Sequence, residues 1–457
     1  MKFFYEISII SIIFFSICFV YKGQQRITLN GGKGWDGIYY YKITEQIQAG
    51  TRLVVGELPF IKRLGTPFLI SVYSNITGTN ILDSALYINL TGVFITVILL
   101  LFWLKLFINE FWIRGLLCFL FMMAWYAPLR YSFYIPLTSD AWGAVWFVGG
   151  LLLLHIIRES YTNKNNKAFI AYIFVYSLVI AIGTFFRESN GVLCILPFFI
   201  LNPFKNLKFS SGRINISNCI YLLKKTLHTY LNRQTIFLFV PLIFIALTNI
   251  LIGTLIKVDD RDGYSYFQNV LLCLFTKTLP EYLLGILIAF GPVLMIVPFF
   301  YSQFKSLLWE NQELGALLII SLLFGLIGGT DTERILFMSG FPVILLLLGI
   351  SMKGIFNSPQ RWWLYVLLIL QTISFRFFWS LPDHTIKSGH TPIPFFGLMS
   401  DHVKYLYLYS HFSNNILSLL LLIEYFILFV ATWYVLHNKV ALKRFPPGQG
   451  NNMDIIT

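Results

Sequence analysis

The chain has 457 residues, 57% of them hydrophobic and only 12% charged, with a formal net charge of +13. Mean hydropathy is +0.71, and a soluble globule averages about 25% charged residues, so a water-soluble fold is excluded. Long apolar runs recur from end to end. They are about 17–25 residues long and lack the period-2 alternation of barrel strands, which leaves helices as the spanning element. The expected fold is all-α: a polytopic transmembrane helix bundle of about 11–13 spans, one domain over residues 1–445.

The first expected span covers 4–20. Lys2 is its only preceding charge and no small-x-small cleavage site follows, so it reads as an uncleaved span and not a signal peptide. The first outer loop, 21–84, opens on NGGKGWDGIYYYKITEQI, where four glycines surround Trp35 and Asp36. After Gly37, Tyr39, Tyr40, Ile43 and Ile47 share one helical face, with Tyr41, Glu45 and Gln48 opposite. That pattern predicts a short amphipathic helix lying on the membrane, with Asp36 at its start either as an N-cap or as a functional carboxylate. Residues 66–80 are too short and polar for a span and close the loop; they include Asn75-Ile76-Thr77, a match to a glycosylation acceptor.

Further spans are expected at 85–108, 112–127, 142–157, 168–186, 190–202, 235–256, 282–303, 315–329, 335–351, 362–379 and 413–436. The apolar stretch 267–282 is shorter and fits a re-entrant or interfacial helix. The tail 446–457 is expected to be disordered. Five cysteines fall in or near apolar segments without metal-ligand spacing, so buried thiols are expected, and no cofactor motif is present.

With the amino terminus inside, the inner segments hold eighteen Lys and Arg against five acids. The segment 203–234 alone has six basic residues and no acid. This is the positive-inside pattern, and it places both termini in the cytoplasm. A basic loop beside anionic lipid accounts for the positive charge, and no nucleic-acid partner is expected.

This topology gathers the polar clusters on the outer side. They are Asp36 and Arg63 in the first loop; Arg130 and Asp140; Arg187 and Glu188; Asp259, Asp260, Arg261 and Asp262; Asp331, Glu333 and Arg334; and a last loop with Asp383, His384, His390, Asp401, His402 and His411. Charges at helix ends flanked by apolar residues are costly unless paired or functional. Each cluster taken singly fits a structural ion pair or a solvated turn, and the histidines lack the tight spacing of metal ligands. Together they suggest one polar cavity at the outer membrane surface.

Four of these patches resemble motifs of the GT-C class of polytopic glycosyltransferases. GWDGIYYYKIT is similar to the acidic motif early in the first outer loop of bacterial-type members. FIKRLGTPFL resembles the arginine-bearing stretch that follows it. FRESNGVL and GGTDTERILFMSGFPVILLL look like later outer-side motifs. As architecture the resemblance covers most of the chain. The class commonly has an acid pair in this loop; here Asp36 stands alone, with Glu45 and Glu57 further on, so no cofactor is expected and use of a divalent metal stays open without support.

The resemblance implies transfer of a sugar from a polyprenyl-phosphate-linked donor to a lipid, glycan or protein acceptor. The reaction would take place on the extracytoplasmic or lumenal face, with a bacterial inner membrane preferred over the endoplasmic reticulum. Asp36 would be the general base and Trp35 would pack beside sugar or lipid. Arg63, Arg187 and Arg334 would take the lipid phosphate. Asp140, Glu188, Asp331 and Glu333 would bind sugar hydroxyls or hold the arginines. A transporter or lipid flippase, a surface-polysaccharide polymerase or ligase, and a membrane scaffold are the other readings. The charges lie at outer ends and not mid-span, and no half-repeat is visible, which disfavours transport.

Overall fold

The structure, a computed structural model, describes residues 2–124, 126–202, 235–259, 265–329, 331–375, 377–378 and 416–437. The basic segment 203–234, Asp260 to Asp262, the histidine-bearing loop and the tail lie outside the described residues. Every expected span carries a helix. In chain order they are α1 (Lys2–Tyr21), α2 (Gly37–Gln48), α3 (Gly65–Thr77), α4 (Ile81–Lys105), α5 (Phe111–Met123), α6 (Pro128–Tyr134), α7 (Asp140–Thr162) and α8 (Asn166–Phe186). After a tightly wound segment Glu188–Leu201 come α9 (Val240–Leu255), α10 (Tyr266–Thr276), α11 (Leu279–Phe290), α12 (Tyr301–Glu310), α13 (Gln312–Ile327), α14 (Thr332–Phe356), α15 (Arg361–Ser374) and α16 (Ile416–His437).

Among the described residues seven helices are long and apolar enough to cross a membrane, and the chain is a multi-pass membrane protein on that count. Several of the remaining expected spans are shorter apolar helices, Glu188–Leu201 and Gln312–Ile327 among them. The core joins these elements through residues such as Leu100, Phe121, Leu151, Phe337 and Phe341, all almost fully buried.

Two belts of ion pairs mark the ends of the bundle. At one end Arg114 pairs with Glu6, Lys353 with Glu110 and Arg158 with Glu313. This end therefore holds the starts of α1, α5 and α13 and the ends of α7 and α14. At the other end Arg334 draws together Asp36, Asp140 and Asp331, which sit before α2, at the start of α7 and before α14.

The expected span 282–303 is not one straight helix. The chain bends by 103° between Tyr282–Phe290 and Pro292–Glu310. Gly291 makes the corner at φ +71°, a conformation that suits glycine, and Pro292 starts the next segment. A break at this depth frees backbone groups that lipid cannot satisfy. Gln371 of α15 satisfies them: its Nε2 donates to the Phe290 carbonyl at 2.9 Å, and its Oε1 accepts from the Val293 N–H at 3.0 Å. The side-chain amide stands in for a missing peptide.

The first loop also differs from expectation. Helix α2 forms where the periodicity places it, but its apolar face turns into the protein and does not lie on lipid. Tyr40, Ile43 and Thr44 are buried, and Ile43 joins Val54, Ile61, Leu64, Ile252 and Ile256 in a small separate core. The segment after it, read as a loop closure, is the helix α3. A two-stranded parallel ribbon, absent from the sequence reading, pairs β1 (Val54–Gly56) with β2 (Ile256–Val258) and ties the loop to the end of α9.

Candidate active site

Asp36 is placed by the glycines around it. Gly34 has φ +75°, and a Cβ there would lie 2.9 Å from Ile135 Cγ2. A Cβ on Gly37 would lie 3.0 Å from Leu137 Cβ. The GWDG turn is therefore pressed onto the 135–137 segment, where any larger residue at 34 or 37 would push Ile135 or Leu137 aside. Asp36 occupies the N-cap position of α2, yet its backbone is helical and its side chain makes no capping bond. The carboxylate is 43% exposed and stands 3.8 Å from Arg334 Nη2.

Asp140 lies beneath it and is nearly sealed, at 3% exposure. Asn89, buried within α4, donates to the carbonyls of Pro136 and Thr138 and so fixes the turn that leads to Asp140. One carboxylate oxygen of Asp140 pairs with Arg187 Nη1. The other lies 3.3 Å from Arg334 Nε. Burying a carboxylate costs several kcal/mol unless it is paired, and two guanidiniums share this one. A Cβ on Gly143, one turn into α7, would meet the Arg187 side chain at 3.0 Å, so a glycine is what lets that arginine lie against the helix.

A second layer holds Arg63. Its Nε and Nη2 grip the two carboxylate oxygens of Glu188 at 2.7 and 2.5 Å. Its Nη1 donates to the Tyr40 hydroxyl at 2.9 Å. Burial would lower the pKa of Arg63, but Glu188 and Tyr40 outweigh that and hold it above its ordinary value. Burial would raise Glu188; the facing Arg63 prevails and holds it down to about 2. Tyr40 in turn shares a hydrogen bond of 3.2 Å with Ser139 Oγ.

The third side of the site is the start of α14. Arg334 Nη1 lies 3.3 Å from Asp331. Glu333 points the other way, into the bundle, where the Tyr126 hydroxyl donates to it at 2.8 Å. Lys277 Nζ donates to the carbonyls of Gly325 and Gly329 and closes the end of α13 just before Asp331.

Asp36, Asp140, Arg187, Asp331 and Arg334 thus form one cluster, with Arg63 and Glu188 joined to it through Tyr40. Glu333 is adjacent but turned inward. Trp35 packs partly buried against the main core beside the cluster. Arg130, expected on an outer turn, is instead fully buried and donates to the Phe375 carbonyl at 2.6 Å. Among the described residues no three His, Cys, Asp or Glu side chains group to hold a metal ion; guanidiniums separate the carboxylates. Tyr40, expected only as part of the apolar face of α2, and Ser139 and Tyr126 join the expected site residues. A tyrosine on the buried face of a helix needs a partner for its hydroxyl, and that was the available signal for Tyr40.

No family model and no curated protein matches the chain. Among solved structures, it is similar to the apo crystal structure of the Archaeoglobus fulgidus oligosaccharyltransferase, with TM-score 0.48 and 12% identity over 94% of this chain. The match spans 56% of that protein's length. At this distance no residue, substrate or activity carries over from it.

Proposed function

We propose that this chain is a membrane glycosyltransferase of the GT-C class. It transfers a sugar from a polyprenyl-phosphate-linked donor to a lipid, glycan or protein acceptor on the extracytoplasmic or lumenal face. The observation that carries this reading is the pairing of a half-open carboxylate with a buried arginine, Arg187, and a partly buried one, Arg334. Asp36 is free of capping duty and open to an acceptor, while Arg334 and Arg187 lie behind it around Asp140.

In the proposed reaction an acceptor hydroxyl gives its proton to Asp36. Its oxygen bonds to the anomeric carbon as the bond from that carbon to the phosphate oxygen breaks. The phosphate leaves with the electron pair, and Arg334 and Arg187 neutralise it. Positive charge developing at the anomeric carbon is stabilised by the same carboxylate end of the site. Arg63 is already closed on Glu188 and Tyr40, so its part is to hold the loop.

Among the described residues the bend at Gly291 is a feature that favours a transporter, because broken helices there expose carbonyls to ions. Here Gln371 occupies those groups, which favours an architectural bend. The test is transfer from a polyprenyl-phosphate-linked sugar by purified protein. Asp36→Asn keeps the shape and removes the basic oxygen, and the rate should fall by about 10²–10⁴ while the protein still folds and binds donor. Activity of Asp36→Asn near wild type would remove the base and with it this reading.

A further inference from the structure

We propose that Tyr40 is a positioning residue, whose hydroxyl fixes where Asp36 stands against Arg334 and Asp140. The inference rests on the proposed function for its kinetic consequence, and on geometry alone for its placement. Tyr40 is one helical turn beyond Asp36, a rise of about 6 Å on a rigid element. Its side chain is 4% exposed. The ring meets Phe60 edge-on at 5.7 Å and packs in a small core with Ile70, Ile81, Ala85 and Leu137, contacts that do not depend on the hydroxyl. The hydroxyl itself touches two other segments, accepting from Arg63 Nη1 and bonding Ser139 Oγ.

Each partner has its main work elsewhere, or none. Arg63 already makes two bonds to Glu188. Ser139 holds the N-cap position of α7 but makes no side-chain capping bond. Its hydroxyl is directed at Tyr40, from the residue immediately before Asp140. The Tyr40–Ser139 bond therefore links the helix that begins after Asp36 to the helix that begins with Asp140. Without it, α2 remains packed but loses a hydrogen bond that sets its register against the start of α7. A displacement of about 1 Å at a reacting group costs on the order of a hundredfold in rate.

The test uses Y40F, S139A and the double variant in the full-length protein. Transfer kcat should fall about tenfold to a hundredfold in Y40F with donor KM little changed, while the melting temperature falls modestly because Arg63 Nη1 and Ser139 Oγ lose a partner. The double variant should be no worse than the more impaired single variant, because both remove the same bond. Additive losses, or a KM effect with kcat intact, would overturn the proposal. S139A removes the tether from a smaller side chain, so it serves where Y40F folds poorly.

A second readout is independent of catalysis. In D36C, the thiol beside Arg334 should react faster with an anionic thiosulfonate than with a cationic one, scored on the peptide carrying position 36 by mass spectrometry. Adding Y40F should lower that ratio several-fold; an unchanged ratio overturns the proposal. If wild-type protein transfers no sugar, the proposed function falls, and this ratio alone decides the role of Tyr40.

Discussion

Arg63 and Glu188, 125 residues apart in sequence, close a two-pronged ion pair that fastens the first loop to the turn after α8. One partner comes from the short segment before α3 and the other follows directly on Arg187. The pair therefore aligns the element that carries Asp36 with the element that carries an arginine of the site.

Glu188→Gln should lower stability at pH 7 by about 1.5–3 kcal/mol, the range for a hydrogen bond to a charged group. Arg63→Lys should do similar harm, because an ammonium cannot match both carboxylate oxygens. The pH dependence has a fixed sign. Glu188 is held down to about 2 against an ordinary 4.5, so its contribution is complete above 4.5 and is lost as pH falls toward 2. Apparent melting temperatures of wild type and Glu188→Gln in detergent should converge over that window. Equal melting temperatures at pH 7 would show that the pair does not fasten the loop.

Gln371 gives a second prediction, at the bend. Gln371→Leu keeps bulk but leaves the Phe290 carbonyl and the Val293 N–H without their partner. An unmet buried group costs about 1–3 kcal/mol, so this variant should be among the least stable in the chain. Gly291→Ala should also destabilise, since its φ is +71° and a Cβ would lie 2.5 Å from the Gln371 amide. Gln371→Glu, held neutral by its burial, can accept from Val293 and donate its O–H to Phe290 in poorer geometry, so it should fall between wild type and Gln371→Leu. Thermal unfolding in detergent orders the three, and a Gln371→Leu protein as stable as wild type would assign the bend another cause.

Much of this arrangement is written locally in the chain. The helices follow from apolar runs whose length alone fixes them, and α2 from its periodicity. Period does not say what a helix face meets, however. Tyr40 and Ile43 have the same spacing whether they face lipid or protein, and the parallel ribbon from Val54 to Ile256 depends on a contact across some two hundred residues. The charged residues of the site could be gathered from sequence because charge at a membrane boundary is costly wherever it occurs. Their pairing could not. Nothing local distinguishes Arg63, closed on Glu188, from Arg334, shared among three carboxylates, and nothing in the run from Tyr282 to Tyr301 says that a glutamine in α15 will accommodate its bend.

Orientation is the last prediction, and the site depends on it, because the proposed donor is used on the extracytoplasmic side. The end of the bundle opposite Asp36 carries Lys105, Arg158, Lys164, Lys167, Lys353 and Arg361 at or near helix termini. Basic residues are retained on the cytoplasmic side during insertion, so this end should face the cytoplasm. Lys164, on the turn after α7, and Gln25, in irregular chain after α1, are both exposed and lie at opposite ends, which makes them suitable reporters. In intact cells a membrane-impermeant thiol reagent should label Q25C and leave K164C untouched until the membrane is opened. Labelling of both from the same side would break the two-ended arrangement. Labelling of K164C alone would turn the bundle over, put Asp36 in the cytoplasm, and leave the carboxylate–arginine cluster on the side where soluble nucleotide-sugars, not lipid-linked ones, are the common donors.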